Sequence, residues 1–135
     1  MYRGILTTIF FTGLFTLGCS SENQEKPVTK TNVDPLITFV ELGSVNCIPC
    51  KQMQPVMKSI EKKYGSQIDV VFHDVWQADQ KHYASQYDIR LIPTQVFLDS
   101  SGNELMRHEG FFPEAEIDAF LLSQGLIVVE QTKPL

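Results

Sequence analysis

Cysteine is scarce: Cys19, Cys47 and Cys50 are the only three among 135 residues. That excludes a disulfide-stapled scaffold, and none is required, because roughly 100 residues can bury a sufficient core unaided. Concentrated positive charge is also missing. The net charge is -5 and Lys and Arg form no cluster. This excludes a general nucleic-acid binder, which needs grouped cations to displace counterions from phosphate. No internal repeat or low-complexity tract appears, and 43% hydrophobic against 20% charged residues is the balance of one ordinary globular domain. Nor is there an apolar run of full membrane-spanning length. The best, Ile5 to Gly18, has 14 uncharged residues. As a helix it would rise roughly 21 Å, short of a hydrocarbon core of roughly 30 Å.

That run follows Arg3 and reads as a secretory signal over residues 1–18. It closes in Leu17-Gly18-Cys19-Ser20-Ser21. A small residue directly before Cys, at the end of an apolar run, resembles the lipobox of bacterial lipoproteins. The resemblance implies cleavage before Cys19, lipidation of its thiol and acylation of the new amino terminus, which together anchor more firmly than one chain. Thr16 and Leu17 depart from the usual pattern, which has an aliphatic and a small residue there. The plain alternative is an ordinary cleaved signal, or an uncleaved anchor, with Cys19 incidental. Ser20 stands where inner-membrane retention wants Asp, so the resemblance leans toward the outer membrane. The expected location is extracytoplasmic, on the periplasmic side. Residues 19–35 are mostly polar, with Glu22 through Pro27 in succession. They cannot bury enough apolar area to order themselves and are expected to act as a tether.

Residues 36–125 carry the pattern of a folded domain. Leu36 to Leu42 predicts a buried strand, broken by Gly43-Ser44-Val45-Asn46. Met53, Val56, Met57, Ile60 and Tyr64 fall at spacings of three and four, predicting an amphipathic helix closed by Gly65 and kinked at Pro55. Ile68 to Val75 predicts a second buried strand, and residues 77–88 a weaker helix with Tyr83 and Tyr87 on one side. Thr94 to Asp99 and Glu104 to Glu109 predict strands joined by the turn Ser100-Ser101-Gly102-Asn103. Pro113 to Gln124 predicts a last helix, with Ile117, Phe120 and Leu121 on one face and Gly125 at its end. Residues 126–135 are either a short extra strand or a tail. The order β-α-β-α-β-β-α predicts an α/β domain whose mixed sheet has about four strands, one pair parallel and a closing hairpin antiparallel.

Cys47-Ile48-Pro49-Cys50 carries the chemistry. Thiol-disulfide exchange needs one thiolate to attack and a second thiol to resolve the mixed intermediate. At a helix start, Cys47 lies near unpaired backbone N–H groups that stabilise its anion, and Cys50 follows one turn later. Pro49 stiffens that turn where a missing N–H costs little. Cys47 is the expected nucleophile and Cys50 the resolver. A zinc site would draw on His73, His82 and His108, of which the first two are nine residues apart, outside finger spacing. Covalent haem attachment wants His after the second Cys, and Lys51 stands there. A structural bridge across so small a ring would constrain little of the unfolded chain. A redox pair is the leading reading; a thiol-based metal module and a structural disulfide stay as alternatives.

With a strand before the pair, Lys51 and Pro55 after it, and Tyr87 to Thr94 (including Ile92-Pro93-Thr94) ahead of a later strand, residues 36–124 resemble the thioredoxin family. The resemblance implies a thioredoxin-like fold with Pro93 as the family's cis-proline, although an ordinary proline at a strand start would look the same. Ile92 and Pro93, with Ile48 and Pro49, are the implied substrate-binding residues. Glu41, six residues before Cys47, matches a buried family acid whose pKa desolvation should raise, suiting it to move a proton to or from Cys50. The alternative puts Glu41 on an edge strand facing solvent. Gly110 matches a structural glycine near the site. Gly43-Ser44-Val45-Asn46 replaces the family's aromatic-rich lead-in, Asn46 and Ile48 change the rim, and the family's first strand and helix are not evident. Trp76 is expected to pack rather than react. The implied activity is reduction of protein disulfides outside the cytoplasm by a monomer without metal or other cofactor. Its electrons would come from a membrane thiol-transfer donor, as in cytochrome c maturation. Pro49 favours a reductase, because strongly oxidising relatives usually have His there. A disulfide oxidant or isomerase, or a non-catalytic metal-binding module, is the alternative.

Overall fold

The computed structural model describes residues 34–129. The expected signal, Cys19 and the tether through residue 33 lie outside the described residues, as do residues 130–135 of the tail.

The branched and aromatic run that predicts the first strand forms β1, Ile37–Gly43. Its neighbours are β2, Ile68–Asp74, and β3, Thr94–Asp99, with β4, Glu104–Glu109, beyond β3. The sheet order is β2-β1-β3-β4, with β1 parallel to β2 and antiparallel to β3, and β4 antiparallel to β3. Among the described residues, the helices α1 (Ile48–Tyr64), α2 (His82–Gln86) and α3 (Glu114–Ser123) complete the predicted order, with a 3-10 turn at Gly65–Gln67.

Alternation along β1 sends successive side chains to opposite faces. Ile37 and Phe39 join Met53, Met57, Ile60 and Tyr64 of α1 and Ile117 and Leu121 of α3 in one core layer. Val40 and Leu42 join Val75 and Val96 on the other face, beneath Tyr83, Tyr87 and Ile92. Phe97 centres the larger layer, stacked on Phe39 at 4.6 Å between ring centroids and edge-on to Phe120 at 5.1 Å. At the far end of α1, Lys63 bonds Glu114 at 2.6 Å and Asp118 at 2.5 Å, while the Tyr64 hydroxyl donates to Asp118 at 3.0 Å. These bonds tie α3 to α1.

Several expectations change. The helix predicted over 77–88 shrinks to the five residues of α2, after a turn in which the Gln80 and Lys81 N–H groups donate to the Gln77 carbonyl at 3.1 and 2.8 Å. At the end of β2 the Asp74 N–H donates to Gln80 Oε1 and the Trp76 N–H to Asp74 Oδ1. β2 is an edge strand, half-buried rather than buried, and ends at Asp74. α1 runs on through Pro55, which is exposed. Trp76 does not pack: it is 61% exposed. Residues 126–129 form no strand. Leu126 is buried, and the Val129 N–H donates to the Lys63 carbonyl at 2.8 Å, so the chain docks on the end of α1 rather than on a sheet edge.

Phe97→Ala should cost about 3–5 kcal/mol, as removal of a fully buried aromatic leaves a cavity between α3 and the sheet. A chemical-denaturation midpoint within error of the parent would show that this layer closes over the gap.

Candidate active site

Cys47 is the N-cap of α1, in extended backbone, with Ile48 and Pro49 opening the helix. Its own N–H donates to the Ser44 carbonyl at 3.1 Å, and its carbonyl accepts from Lys51 at 3.0 Å. Cys47 and Cys50 form a disulfide with their Cα atoms 5.2 Å apart. The two sulfurs are unequal. Cys47 is partly exposed, whereas Cys50 is 1% exposed and faces the core. No acidic side chain occupies the first turn of α1, so its N–H groups and dipole act unopposed on the accessible sulfur.

Cys50 is seated on the end of β1. A β-carbon at Gly43 would lie 3.2 Å from Cys50 Cβ, from Cys50 Sγ and from Phe72 Cε2. Glycine therefore eases a close approach here, since a β-carbon would make Cys50 and Phe72 give way by a few tenths of an ångström. The loop after it is held by Asp74. One carboxylate oxygen accepts the Val45 N–H at 3.3 Å and the other the Trp76 N–H at 3.1 Å. Burial would raise the Asp74 pKa, but these N–H groups, together with Ser44 and Gln77, outweigh it and hold the carboxyl below its ordinary value.

Glu41 lies two residues before Gly43 on β1, between β2 and β3, and is 0% exposed. The edge-strand alternative is excluded. Alternation puts it on the α1 face with Phe39 and Gly43, one strand repeat of roughly 7 Å from the residue beneath Cys50. Burial pushes its pKa from 4.5 up to about 8, and a hydrogen bond from Gln95 Nε2 to Oε2 at 2.9 Å opposes the rise. Ile92–Pro93 is a cis peptide. Thr94 pairs with Leu42, so Pro93 sits at the end of the sheet where β1 delivers the cysteines. The Gly110 N–H, with φ +94°, donates to the Pro93 carbonyl at 2.7 Å.

The structure thus gathers Cys47, Cys50, Glu41, Ile48, Pro49, Ile92 and Pro93 at one end of the sheet. Val45, Ile48, Trp76, Leu91 and Phe111 border that end as exposed apolar side chains. Among the described residues no group of three His, Cys, Asp or Glu is placed to hold a metal ion. Sequence reading missed Asp74, Gly43's contact with Cys50, and Gln95. The signal for Gln95 was present: a long polar side chain inside an apolar strand, two residues after Pro93.

Glu41 also sets a pH dependence. Its carboxyl binds a proton more tightly in the folded chain than in the unfolded one, where 4.5 applies. Its contribution to stability is therefore full below about pH 4.5 and is lost as pH rises through about 8. His73, whose pKa burial lowers, slopes the other way, so the comparison must be with a variant. The stability of Glu41→Gln relative to the parent should rise between about pH 5 and pH 8. Parallel urea midpoints for the two proteins across that range would remove Glu41 as the cause.

Comparison with known proteins agrees with this geometry. A family model described as a thioredoxin-like domain matches residues 22–125. A thiol:disulfide interchange protein DsbD of Colwellia psychrerythraea is 31% identical over 108 residues, which is 73% of this chain and 17% of that one. Thioredoxin-1 of Drosophila melanogaster is 38% identical over 65 residues, 48% of this chain and 59% of its own. The chain spans 48% of a third relative, a thioredoxin H10 of Arabidopsis thaliana, so it covers less than half of two of these three curated relatives. Among solved structures, a point-mutant thioredoxin of Halobacterium salinarum superposes with a TM-score of 0.60 at 23% identity, covering 71% of this chain and 80% of that one, a likeness of fold. The germline-specific Drosophila thioredoxin Deadhead gives 0.57 at 27% identity over 67% and 81% of the two chains. With most of its length matched by that family model and its two motif cysteines joined, the chain belongs to the thioredoxin-like domain family.

Proposed function

We propose that the chain is a protein-disulfide reductase working outside the cytoplasm, tethered to the membrane through Cys19 and recharged by a membrane thiol-transfer protein, as in cytochrome c maturation. The observation that carries the chemistry is the inequality of the two sulfurs. Cys47 is reachable at a helix N-terminus, and Cys50 is buried against Gly43 on the sheet face that holds Glu41.

In the reduced protein the Cys47 thiolate attacks a substrate disulfide, forming a mixed disulfide and releasing one substrate thiolate. Cys50 gives its proton to Glu41 and attacks Cys47 Sγ. The intramolecular disulfide forms, the mixed disulfide breaks and the second substrate thiolate leaves. Two electrons pass from the dithiol to the substrate. A base of pKa about 8 is well matched to a thiol of ordinary pKa about 8.5. Ile92 and Pro93 on one side, and Ile48 and Pro49 on the other, flank the reachable sulfur and receive the substrate chain. The exposed apolar border suits an extended or partly unfolded client. Pro49, at a position where His would stabilise the reduced thiolate, favours the reducing direction. The relation to a thiol:disulfide interchange protein accords with electron transfer between protein dithiols.

Cys47→Ser should abolish insulin-disulfide reduction, and Cys50→Ser should accumulate a mixed disulfide. The reverse pattern would exchange the two roles. A reduction potential near -270 mV is expected, and one near -120 mV would make the protein an oxidant. Stoichiometric metal binding without turnover would favour the metal-binding reading. A fatty-acid analogue should label the full chain and be lost in Cys19→Ser; equal labelling of both would remove the proposed anchor.

A further inference from the structure

Gln95 stands directly opposite Glu41 in the antiparallel register of β1 and β3. Both are 0% exposed, and Gln95 Nε2 donates to Glu41 Oε2 at 2.9 Å. The remaining oxygens, Glu41 Oε1 and Gln95 Oε1, have no partner within the protein. An apolar side chain would fill position 95 without burying an unpaired amide oxygen, but it would take from Glu41 Oε2 the donor it has. Packing therefore does not account for glutamine there. Its neighbours on β3 include buried Val96 and Phe97, so its polarity serves Glu41 alone on that strand.

No charged group shares this duty. Phe72 faces Glu41 from β2, α1 presents Cys50 and Met53, and α3 turns Ile117 and Leu121 toward the same layer. The titratable groups around the pair are the Cys50 thiol and, beyond Gln95 on β4, the His108 imidazole. His108 is engaged elsewhere, stacked on Phe112 at 4.1 Å with Nε2 3.2 Å from the Phe111 carbonyl.

We propose that Gln95 is a positioning residue for proton transfer, holding Glu41 by Oε2 so that Oε1 is the oxygen that exchanges a proton with Cys50. This rests on the reductase reading above. In the resolving step the Cys50 S–H proton passes to Oε1 of ionised Glu41, and Cys50 Sγ bonds to Cys47 Sγ. The bond from Cys47 to the substrate sulfur breaks, and the departing thiolate takes up the proton as Glu41 returns it. The dithiol loses two electrons and the substrate disulfide gains them. Because the amide donates to the ionised form, it also sets the pH at which Glu41 becomes a base.

The test is single-turnover reduction of a small aromatic disulfide by the reduced full chain, followed across pH, for the parent, Gln95→Met and Glu41→Gln. Gln95→Met keeps the volume and removes the donor. Its resolving phase should shift upward by about one pH unit and slow about tenfold near pH 7, with an unchanged first phase. Glu41→Gln should lose the limb altogether. A Gln95→Met profile that overlays the parent, while Glu41→Gln loses the limb, overturns the role of Gln95 and leaves that of Glu41. A limb retained in Glu41→Gln overturns both. Should Gln95→Met not fold, the side-chain amide resonance of Gln95 in the unaltered protein decides the matter. It should move with the same midpoint as the Glu41 carboxyl, and a resonance flat through that titration overturns the proposal.

Discussion

The contact between Cys50 and the bare backbone of Gly43 is the constraint on which the rest of the site depends. α1 must come down onto the sheet closely enough to bury Cys50, and the missing β-carbon at the end of β1 lets the sulfur sit there without pushing Cys50 or Phe72 aside by a few tenths of an ångström. Once Cys50 is seated there, the N-terminus of α1 overhangs the edge of the sheet and Cys47 is left at the surface. A pair of residues alike in sequence thereby becomes a reachable sulfur and a sheltered one. Asp74 supports the same arrangement from β2, since its two oxygens fasten the loop between Gly43 and the helix.

Burying Glu41 beneath this contact is costly, and the protein lowers the cost in two ways. The carboxyl is neutral over most of the physiological range because desolvation raises its pKa to about 8. A single amide, rather than a cation, then steadies it. A lysine or arginine opposite would have kept Glu41 ionised and removed its ability to accept a proton on demand. Gln95 is a weak enough partner to leave the carboxyl switchable. The two unpaired oxygens mark where the core gives up some hydrogen bonding for this.

Much of the architecture was legible in the chain. The boundaries of β3 and β4 agree with Thr94 to Asp99 and Glu104 to Glu109, and α3 falls within Pro113 to Gln124. These elements announce themselves by local periodicity and by the turn residues between them. The helix over 77–88 came out short because its periodicity was weak, and residues 77–81 form a turn on the Gln77 carbonyl before α2 begins. Trp76 was misread because a large aromatic ring signals burial only on average. The half-buried state of β2 was not visible either: an edge strand and a central strand can have the same apolar run.

By itself the sequence determined the reactive spacing of Cys47 and Cys50, the helix that follows them, the alternation of strands and helices, and the glycine that ends β1. All of these are consequences of neighbours within a few positions, where backbone geometry and side-chain preference act directly. Tertiary structure decided what no local pattern contains. It placed β1 inside the sheet, which buried Glu41, and set the register that brings Gln95, 54 residues away in sequence, within a hydrogen bond of it. It also made Cys50 the sheltered sulfur. The physical reason is the same in each case: burial and cross-strand pairing depend on which distant segments meet, and a one-residue change of register would turn Gln95 to the opposite face.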